Sequence, residues 1–392
     1  MLKSIKLRLY LNDDQKIYSN KLLGSSRFVY NNCLNYKITE YNKPDKKSVS
    51  FCELGKHLTD LKSEYIWLKD SHSKVLQQSL INLNTAFNNF FKNKLGFPKF
   101  KSKHDKQSCR FPIDAISGVK GNRINIIKSL NDIHFKCSKS DEIFLNKHQN
   151  SIKSGTLSRS KSGDYYFSIL IDKPNKKLNK PKNEIVGIDM GIKDFVITSS
   201  GDRFENIKIK RNNTGKLKRL NQLLSRKQKG SKNKEKTRIK LSKFHEKLNN
   251  IKDYYLHKVS NQLLNENQII VMEDLNVKGM MSNHKLAKSI QELSLNKFKN
   301  ILMYKSNWYD RNVVQVDQWF PSSKLCSVCG FKHTELTLND REWVCPVCLT
   351  KHDRDVNAAN NIKNEGINIL SVGLSSPDLK PLESSTLVHS MN

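Results

Sequence analysis

Polar and apolar residues alternate at the start of the chain, Leu2-Lys3-Ser4-Ile5-Lys6-Leu7-Arg8-Leu9, which predicts a strand over residues 1–11 with Ile5, Leu7 and Leu9 on one face. The period then changes to that of a helix. Asn12-Asp13-Asp14 supplies a cap, and Ile17, Leu22, Leu23, Phe28, Val29, Tyr30, Cys33 and Leu34 follow as core positions. Gly24-Ser25-Ser26 predicts a break into two helices. Further helices are predicted from Phe51 to Trp67 and from Ser71 onward, where Leu76, Leu80, Leu83 and Phe87 keep the 3.6-residue period. Residues 109–171 turn β-rich, with Arg110-Phe111-Pro112, Arg123-Ile124-Asn125-Ile126, Ile133-His134-Phe135 and Tyr165 to Ile171 as strands. A small barrel that includes the first strand is the expected architecture. Pro174 to Lys182 reads as a basic linker.

Beyond the linker the apolar runs become continuous. Glu184-Ile185-Val186-Gly187-Ile188-Asp189 and Phe195-Val196-Ile197-Thr198 predict a buried hairpin, and a second turn follows at Ser200-Gly201-Asp202. Leu217, Leu220, Leu223 and Leu224 fit one helix; Gly230-Ser231 ends it. A long helix then runs to about Leu264, with Ile239, Leu248, Ile251, Tyr255, Val259 and Leu263 facing inward. Gln268 to Glu273 is another buried strand, residues 279–293 read as a loop, Leu295 to Trp308 as a helix, and Val313 to Asp317 as a strand. An Ala-rich helix begins near Asp353. This order (three strands, helices, strand, helix, strand, helix) predicts a ribonuclease-H-type layered α/β core. The last 27 residues, from Gly366, carry little charge and several Ser and Pro, and most of them are expected to be disordered.

Charge points to the partner. Lys and Arg number 69 against 37 Asp and Glu, a formal net charge of +32 spread along the chain, which predicts a polyanion held by salt-sensitive contacts. Residues 201–250 concentrate the excess, with 17 basic and 4 acidic side chains; apolar positions at helical spacing interrupt the run, so it reads as a basic helical hairpin over a polyanion rather than a plain solvated face. Gly96-Phe97-Pro98-Lys99-Phe100-Lys101 mixes cations with aromatics as backbone-binding and base-stacking surfaces do. No apolar run approaches the roughly 18 residues of a membrane span, and the first residues lack a signal peptide's apolar core. A cytoplasmic protein with no membrane partner is expected.

Two constellations carry chemistry. Asp189 and Glu273 each close a buried run, and Asp353 or Asp355 opens the last helix. A carboxylate in such a place must be paired, hydrogen-bonded or bound to metal. Three of them, two at strand ends and one at a helix start, are the donor set of a two-metal phosphodiester site, because hard Mg²⁺ ions take oxygen ligands and keep positions open for phosphate and water. The second constellation is Cys326-Ser-Val-Cys329 and Cys345-Pro-Val-Cys348, fifteen residues apart. Two CxxC turns at this spacing present four thiolates to one structural Zn²⁺, with a hairpin over 331–344 joining them. Cys33, Cys52, Cys109 and Cys137 are scattered and read as free thiols.

With these residues in hand, the chain resembles the TnpB (OrfB, InsQ) proteins of bacterial insertion sequences, which are related to the type V CRISPR effector nucleases. The resemblance runs through Gly187-Ile188-Asp189-Met190-Gly191, Ser225 to Ser231, Val271-Met272-Glu273-Asp274-Leu275, Trp319-Phe320-Pro321-Ser322-Ser323-Lys324-Leu325-Cys326 and Asp353 to Ala359. It also covers Leu76 to Leu80, Phe90-Phe91-Lys92 and Gly96 to Phe100. It implies a wedge-like barrel over 1–12 and 98–182, a helical recognition module over 13–97, and a RuvC-like nuclease over 183–321 and 351–370 carrying a basic hairpin at 208–264. A zinc ribbon over 322–350 and a disordered tail over 371–392 complete it. The carboxylates carried over are Asp189, Glu273 and Asp355; Asp355 is preferred to Asp353 because it fits the family's Asp-x-Asn-Ala pattern, which leaves Asp353 as a cap and Asp274 as structural.

The implied function is an RNA-guided DNA endonuclease. A transposon-derived guide RNA pairs with double-stranded target DNA beside a short flanking motif, and two Mg²⁺ serve hydrolysis. Lys74 and Gln78, one helical turn apart, are the candidate readers of the flanking motif, and Lys99, Lys101, Arg226, Lys227 and Lys229 are candidate nucleic-acid contacts. A monomer, a companion transposase and association with the nucleoid are further expectations. Two other functions fit the same residues: a DNA-binding accessory of transposition, and an RNA-guided repressor that does not cut.

Overall fold

β1 (Leu2–Tyr10) buries Ile5, Leu7 and Leu9 and exposes the residues between them, as its alternation requires. Asn12 then caps α1 (Asp13–Tyr41) in a reciprocal capping box with Gln15. The computed structural model describes residues 1–46, 48–174, 178–337 and 340–373, and falls into two units, Met1–Pro174 and Asn175–Asn392.

The first unit joins a helical cluster to a sheet. α1, α2 (Phe51–Glu64) and α3 (Ser73–Asn93) enclose Val29, Cys33, Leu34, Leu54, Leu58, Leu76, Leu80 and Leu83. The break expected at Gly24-Ser25-Ser26 does not occur, and α1 is one helix of 29 residues. Small size is the reason: Ser25 and Ser26 are buried, Ser25 bonds back to the Lys21 carbonyl, and Ser71 donates to the Ser25 hydroxyl. Ile17, expected inside, is 56% exposed. After α3 come β2 (Gln107–Pro112), β3 (Gly118–Lys120), β4 (Arg123–Asn125), β5 (Ile133–Lys136), α4 (Lys139–Lys147), β6 (Ile152–Arg159) and β7 (Tyr165–Asp172). The expected barrel is a seven-stranded antiparallel sheet in the order β2-β6-β7-β1-β5-β4-β3, with β2 and β3 at its edges.

The second unit is a layered α/β core. Its strands are β8 (Asn183–Asp189), β9 (Asp194–Thr198) and β10 (Arg203–Glu205). Helices α5 (Ile209–Asn212), α6 (Thr214–Ser225) and α7 (Lys232–Glu266) follow, then β11 (Asn267–Glu273). Next come α8 (Val277–Met280), α9 (His284–Leu293), α10 (Leu295–Tyr309) and β12 (Asn312–Val316). The strand order is β10-β9-β8-β11-β12; β11 runs parallel to both β8 and β12, and β9 and β10 are antiparallel additions. Residues 279–293, expected as a loop, hold α9, which buries Ile290 and Leu293. Ile251 on α7 is exposed and Leu256 takes the inward position.

Both faces of this sheet are covered. Ile270 and Met272 of β11 pack with Leu256, Val259 and Leu263 of α7 and with Phe298 and Leu302 of α10. Ile269 and Val271 point the other way, toward Ile362 of the last helix, α11 (Arg354–Ser371). Gly366 to Ser371, the start of the segment expected to be largely disordered, therefore belong to a helix, and the tail beyond residue 373 lies outside the described residues. α11 approaches the sheet closely because two glycines allow it. A Cβ on Gly187 would collide with the Ala359 carbonyl and come within 2.6 Å of the Lys363 nitrogen, and one on Gly366 would strike the Val271 side chain. Before α11, β13 (Glu342–Val344) pairs with β14 (Lys351–Asp353), so the hairpin spans the second CxxC instead of lying within 331–344.

Candidate active site and metal centre

The parallel pairing of β8 and β11 brings their C-terminal ends side by side, and with them Asp189 and Glu273. Residues 354–371 are helical, and close packing of α11 on β8 delivers Asp355 in its first turn to the same end. Asp189 is near enough to the other two to sense their charges. Asp189 keeps part of its surface open, yet the atoms enclosing its carboxyl push its pKa up to about 7, with burial the first cause and the charges of Glu273 and then Asp355 adding to it. Burial also raises Glu273, opposed by a hydrogen bond from the Ser322 hydroxyl to Oε1. Asp189 thus resists ionising beside Glu273 and Asp355, an electrostatic state that a cation relieves. The donors are carboxylate oxygens, which suits a hard divalent ion.

Around them, charges are already arranged. Arg341 donates to both Asp355 oxygens at 3.3 and 3.2 Å. Asp353 caps α11 through the Val356 N–H at 3.0 Å and pairs with Arg203, which also reaches Asp194. Asp274, beside Glu273, pairs with Lys299 on α10 at 2.6 Å. Asp353 thus has the cap role expected of it, and Asp274, read only as structural, is held in an ion pair. Ser322 and Arg341 were not foreseen. Ser322 stands in the Pro321-Ser322-Ser323 segment already noted; Arg341 carries no sequence signal of its own, since only the fold brings it to Asp355.

Among the described residues, one cluster brings the ligand atoms of three or more His, Cys, Asp or Glu side chains within 4.8 Å of one another: Cys326, Cys329, Cys345 and Cys348. Cys326 and Cys348 sulfurs lie 3.5 Å apart and Cys329 and Cys345 3.6 Å. A tetrahedron of thiolates around zinc, with bonds of about 2.3 Å, has edges of about 3.8 Å, so the geometry fits a metal ion. Hydrogen bonds from Thr350, first its hydroxyl and then its backbone, draw the Cys348 thiol down to about 6. Leu336 and Trp343 form a small core with Cys326 and Cys345. His352 was not predicted: its Nε2 lies 3.1 Å from the Cys326 sulfur and its ring packs on Trp343.

The candidate nucleic-acid residues do not all present free cations. Lys74 is paired with Asp114, and Gln78 is half-buried. Lys101 lies over the Tyr30 ring at 3.8 Å, whereas Lys99 is exposed. Arg226, Lys227 and Lys229 share the exposed turn between α6 and α7.

A three-layer α/β core with carboxylates at its strand ends and a four-cysteine module leading into its last helix defines the class, and sequence comparison supplies the family. Residues 168–284 match the family described as "Probable transposase", residues 296–362 the "Cas12f1-like, TNB domain", and residues 1–47 a "Helix-turn-helix domain", a span that here is one strand and one unbroken helix. A "Putative RNA-guided DNA endonuclease" of Streptomyces pristinaespiralis is 34% identical over 368 residues, covering 93% of this chain and 89% of that one. "Putative RNA-guided DNA endonuclease InsQ" of Escherichia coli K12 is 29% identical over 399 residues, covering 97% and 96%. The chain belongs to the TnpB (OrfB) family. Its fold is similar to the protein in a Cas12f1-sgRNA-target DNA complex, with a TM-score of 0.57 at 15% identity over 90% of this chain and 83% of that one. The mini-RNA-guided endonuclease CRISPR-Cas_phi3 gives 0.53 at 11% over 97% and 94%. No helix among the described residues is long and apolar enough to cross a membrane.

Proposed function

We propose that this protein is an RNA-guided DNA endonuclease with a RuvC-like core, in which Asp189, Glu273 and Asp355 form one hydrolytic site. The observation that carries the reading is the convergence of three carboxylates, from segments 84 and 82 residues apart, on the strand ends of one sheet, where the charges of the other two act on Asp189. Asp189, Glu273 and Asp355 would hold two Mg²⁺ ions, which when bound stabilise the attacking and leaving oxygens of an in-line phosphodiester displacement. Ser322 orients Glu273 through its hydrogen bond, and α11 fixes Asp355 by packing against Gly187. The cysteine cluster holds structural zinc, with no position left open for chemistry. Guide RNA and target DNA are the partners that the named relatives suggest, and the net charge of +32 supports a polyanionic partner. Pairing with the guide would read the target while the protein reads a short flanking motif.

The test begins with purification from cells carrying the gene in its own genomic context and sequencing of the RNA that co-purifies. That complex is then offered matched duplex DNA with Mg²⁺. One discrete RNA and cleavage by the native protein, lost in Asp189→Ala while DNA binding persists, is the expected result. A heterogeneous RNA population lost at moderate salt, or cleavage unchanged in Asp189→Ala, overturns the reading.

A further inference from the structure

The segment between β12 and the cysteine module is a turn closed on Glu273 at both ends. Val316, the last residue of β12, is the register partner of Glu273, and Ser322 donates its hydroxyl to the Glu273 carboxylate. Trp319 stands midway between them. Its backbone is held: its N–H donates to Asp317 Oδ1 at 2.8 Å, and the Phe320 N–H donates to the Asp317 carbonyl at 3.1 Å. Phe320 turns inward and packs with the cluster of Ile269, Val271 and Val316. Trp319 turns outward and is 81% exposed, the most exposed of the large apolar side chains among the described residues.

The other tryptophans have ring neighbours. Trp67 packs on Phe28, Trp308 on Tyr304, and Trp343 on His333 and His352. Trp319 has no ring neighbour among the described residues and sits on a fixed turn three residues from Ser322. Three residues span at most about 11 Å between Cα atoms, so the Trp319 backbone lies within that distance of Ser322, which binds the Glu273 carboxylate. Exposing so large an apolar face has a cost in water, which a stacked nucleobase would remove.

We propose that Trp319 is a stacking platform for an unpaired nucleobase of the strand entering the carboxylate site, so that its ring positions the adjacent phosphodiester against Asp189, Glu273 and Asp355. This rests on the proposed nuclease reading. Stacking accepts every base, which suits a site whose target choice is delegated to a guide. It makes Trp319 a positioning residue rather than a catalytic one.

The test uses the full chain as Asp189→Ala, with a six-nucleotide oligothymidylate and a fully abasic oligomer of the same length as probes, in about 0.3 M salt to suppress contacts to phosphate alone. Tryptophan fluorescence is expected to be quenched by the oligothymidylate and not by the abasic oligomer, and the quench is expected to vanish in Trp319→Phe, which assigns it to this ring. Fluorescence anisotropy then compares the two labelled probes. The preference for the base-bearing oligomer should fall about tenfold in Trp319→Ala and be largely kept in Trp319→Phe. A quench that survives Trp319→Phe, no quench at all, or equal preference in Trp319→Ala overturns the proposal. Binding is read without cleavage, so failure of the nuclease reading appears separately, as absence of cutting by the native protein with its RNA. The exposure of Trp319 leaves the fold of both variants intact.

Discussion

The carboxylate site and the cysteine site meet at residues 352–355, yet they are built in opposite ways. The cysteines come from two short turns within 23 residues and close around a small core of Leu336 and Trp343. The carboxylates are spread over 167 residues and meet only because β8 and β11 run parallel and α11 lies directly on β8. One site is local, and its spacing can be read from the sequence. The other exists only in the fold. They are joined in series: His352 touches the Cys326 sulfur, Asp353 caps α11, and the charge of Asp355 reaches Asp189 at the strand ends.

The difference predicts how each site breaks. Asp189→Ala removes an acid on which the whole tertiary site converges, and guided cleavage should fall at least about a thousandfold, or about 4 kcal/mol in the barrier, while thermal stability holds or rises because an enclosed, mutually repelled carboxylate has gone. Initial cleavage rates beside a melting curve check both halves. Loss of a metal ion from the cysteine cluster should act locally. Cys345→Ser should lower bound metal from about one ion per chain to none, measured by elemental analysis, and should unfold the module that the metal sustains, seen as loss of the near-ultraviolet signal of Trp343. The core melting transition should move far less; a whole chain that unfolds with the metal would show that the two regions are not separable.

Gly187→Ala probes the assembly of the carboxylate site without touching a carboxylate. The added methyl meets the α11 backbone, so stability should fall by about 3 kcal/mol in denaturant titrations, with cleavage lost alongside. Wild-type stability in this variant would mean that α11 does not lie directly on β8. The smallest effect is expected at the junction. Asp353→Ala deletes the cap of α11 and its pair with Arg203, for a cost of about 1 kcal/mol. Asp353→Asn should recover most of it, because an amide oxygen still accepts from the Val356 N–H.

Much of this was legible in the chain. The continuous apolar runs of β8, β9 and β11 marked buried strands, and the carboxylates that close two of them, Asp189 and Glu273, do lie at neighbouring strand ends. The CxxC spacing marked the thiolate cluster. What escaped depended on tertiary contact. Gly24-Ser25-Ser26 reads as a break, but small side chains are what a close helix packing needs, and burial against Ser71 overrode local preference. The ten residues of α9 follow Gly279 and a polar stretch, and its inward face is carried by Ile290 and Leu293 near its end, so the period had little length in which to show. β13 and β14 are three residues each, too short to carry a period, and they pair across the second CxxC turn. Arg341 and Ser322 gain meaning only from the acids that the fold places beside them.

The central claim is that Asp189, Glu273 and Asp355 act as one metal-dependent nuclease site. The most direct measurement is cleavage of duplex DNA matched to the co-purified RNA, run in parallel for the native chain and Asp189→Ala, each with Mg²⁺ and with a chelator. The expected result is cutting by the native chain in Mg²⁺ alone, and retained DNA binding without cutting by Asp189→Ala. Equal cutting by both chains, or cutting by the native chain in the chelator, would contradict it.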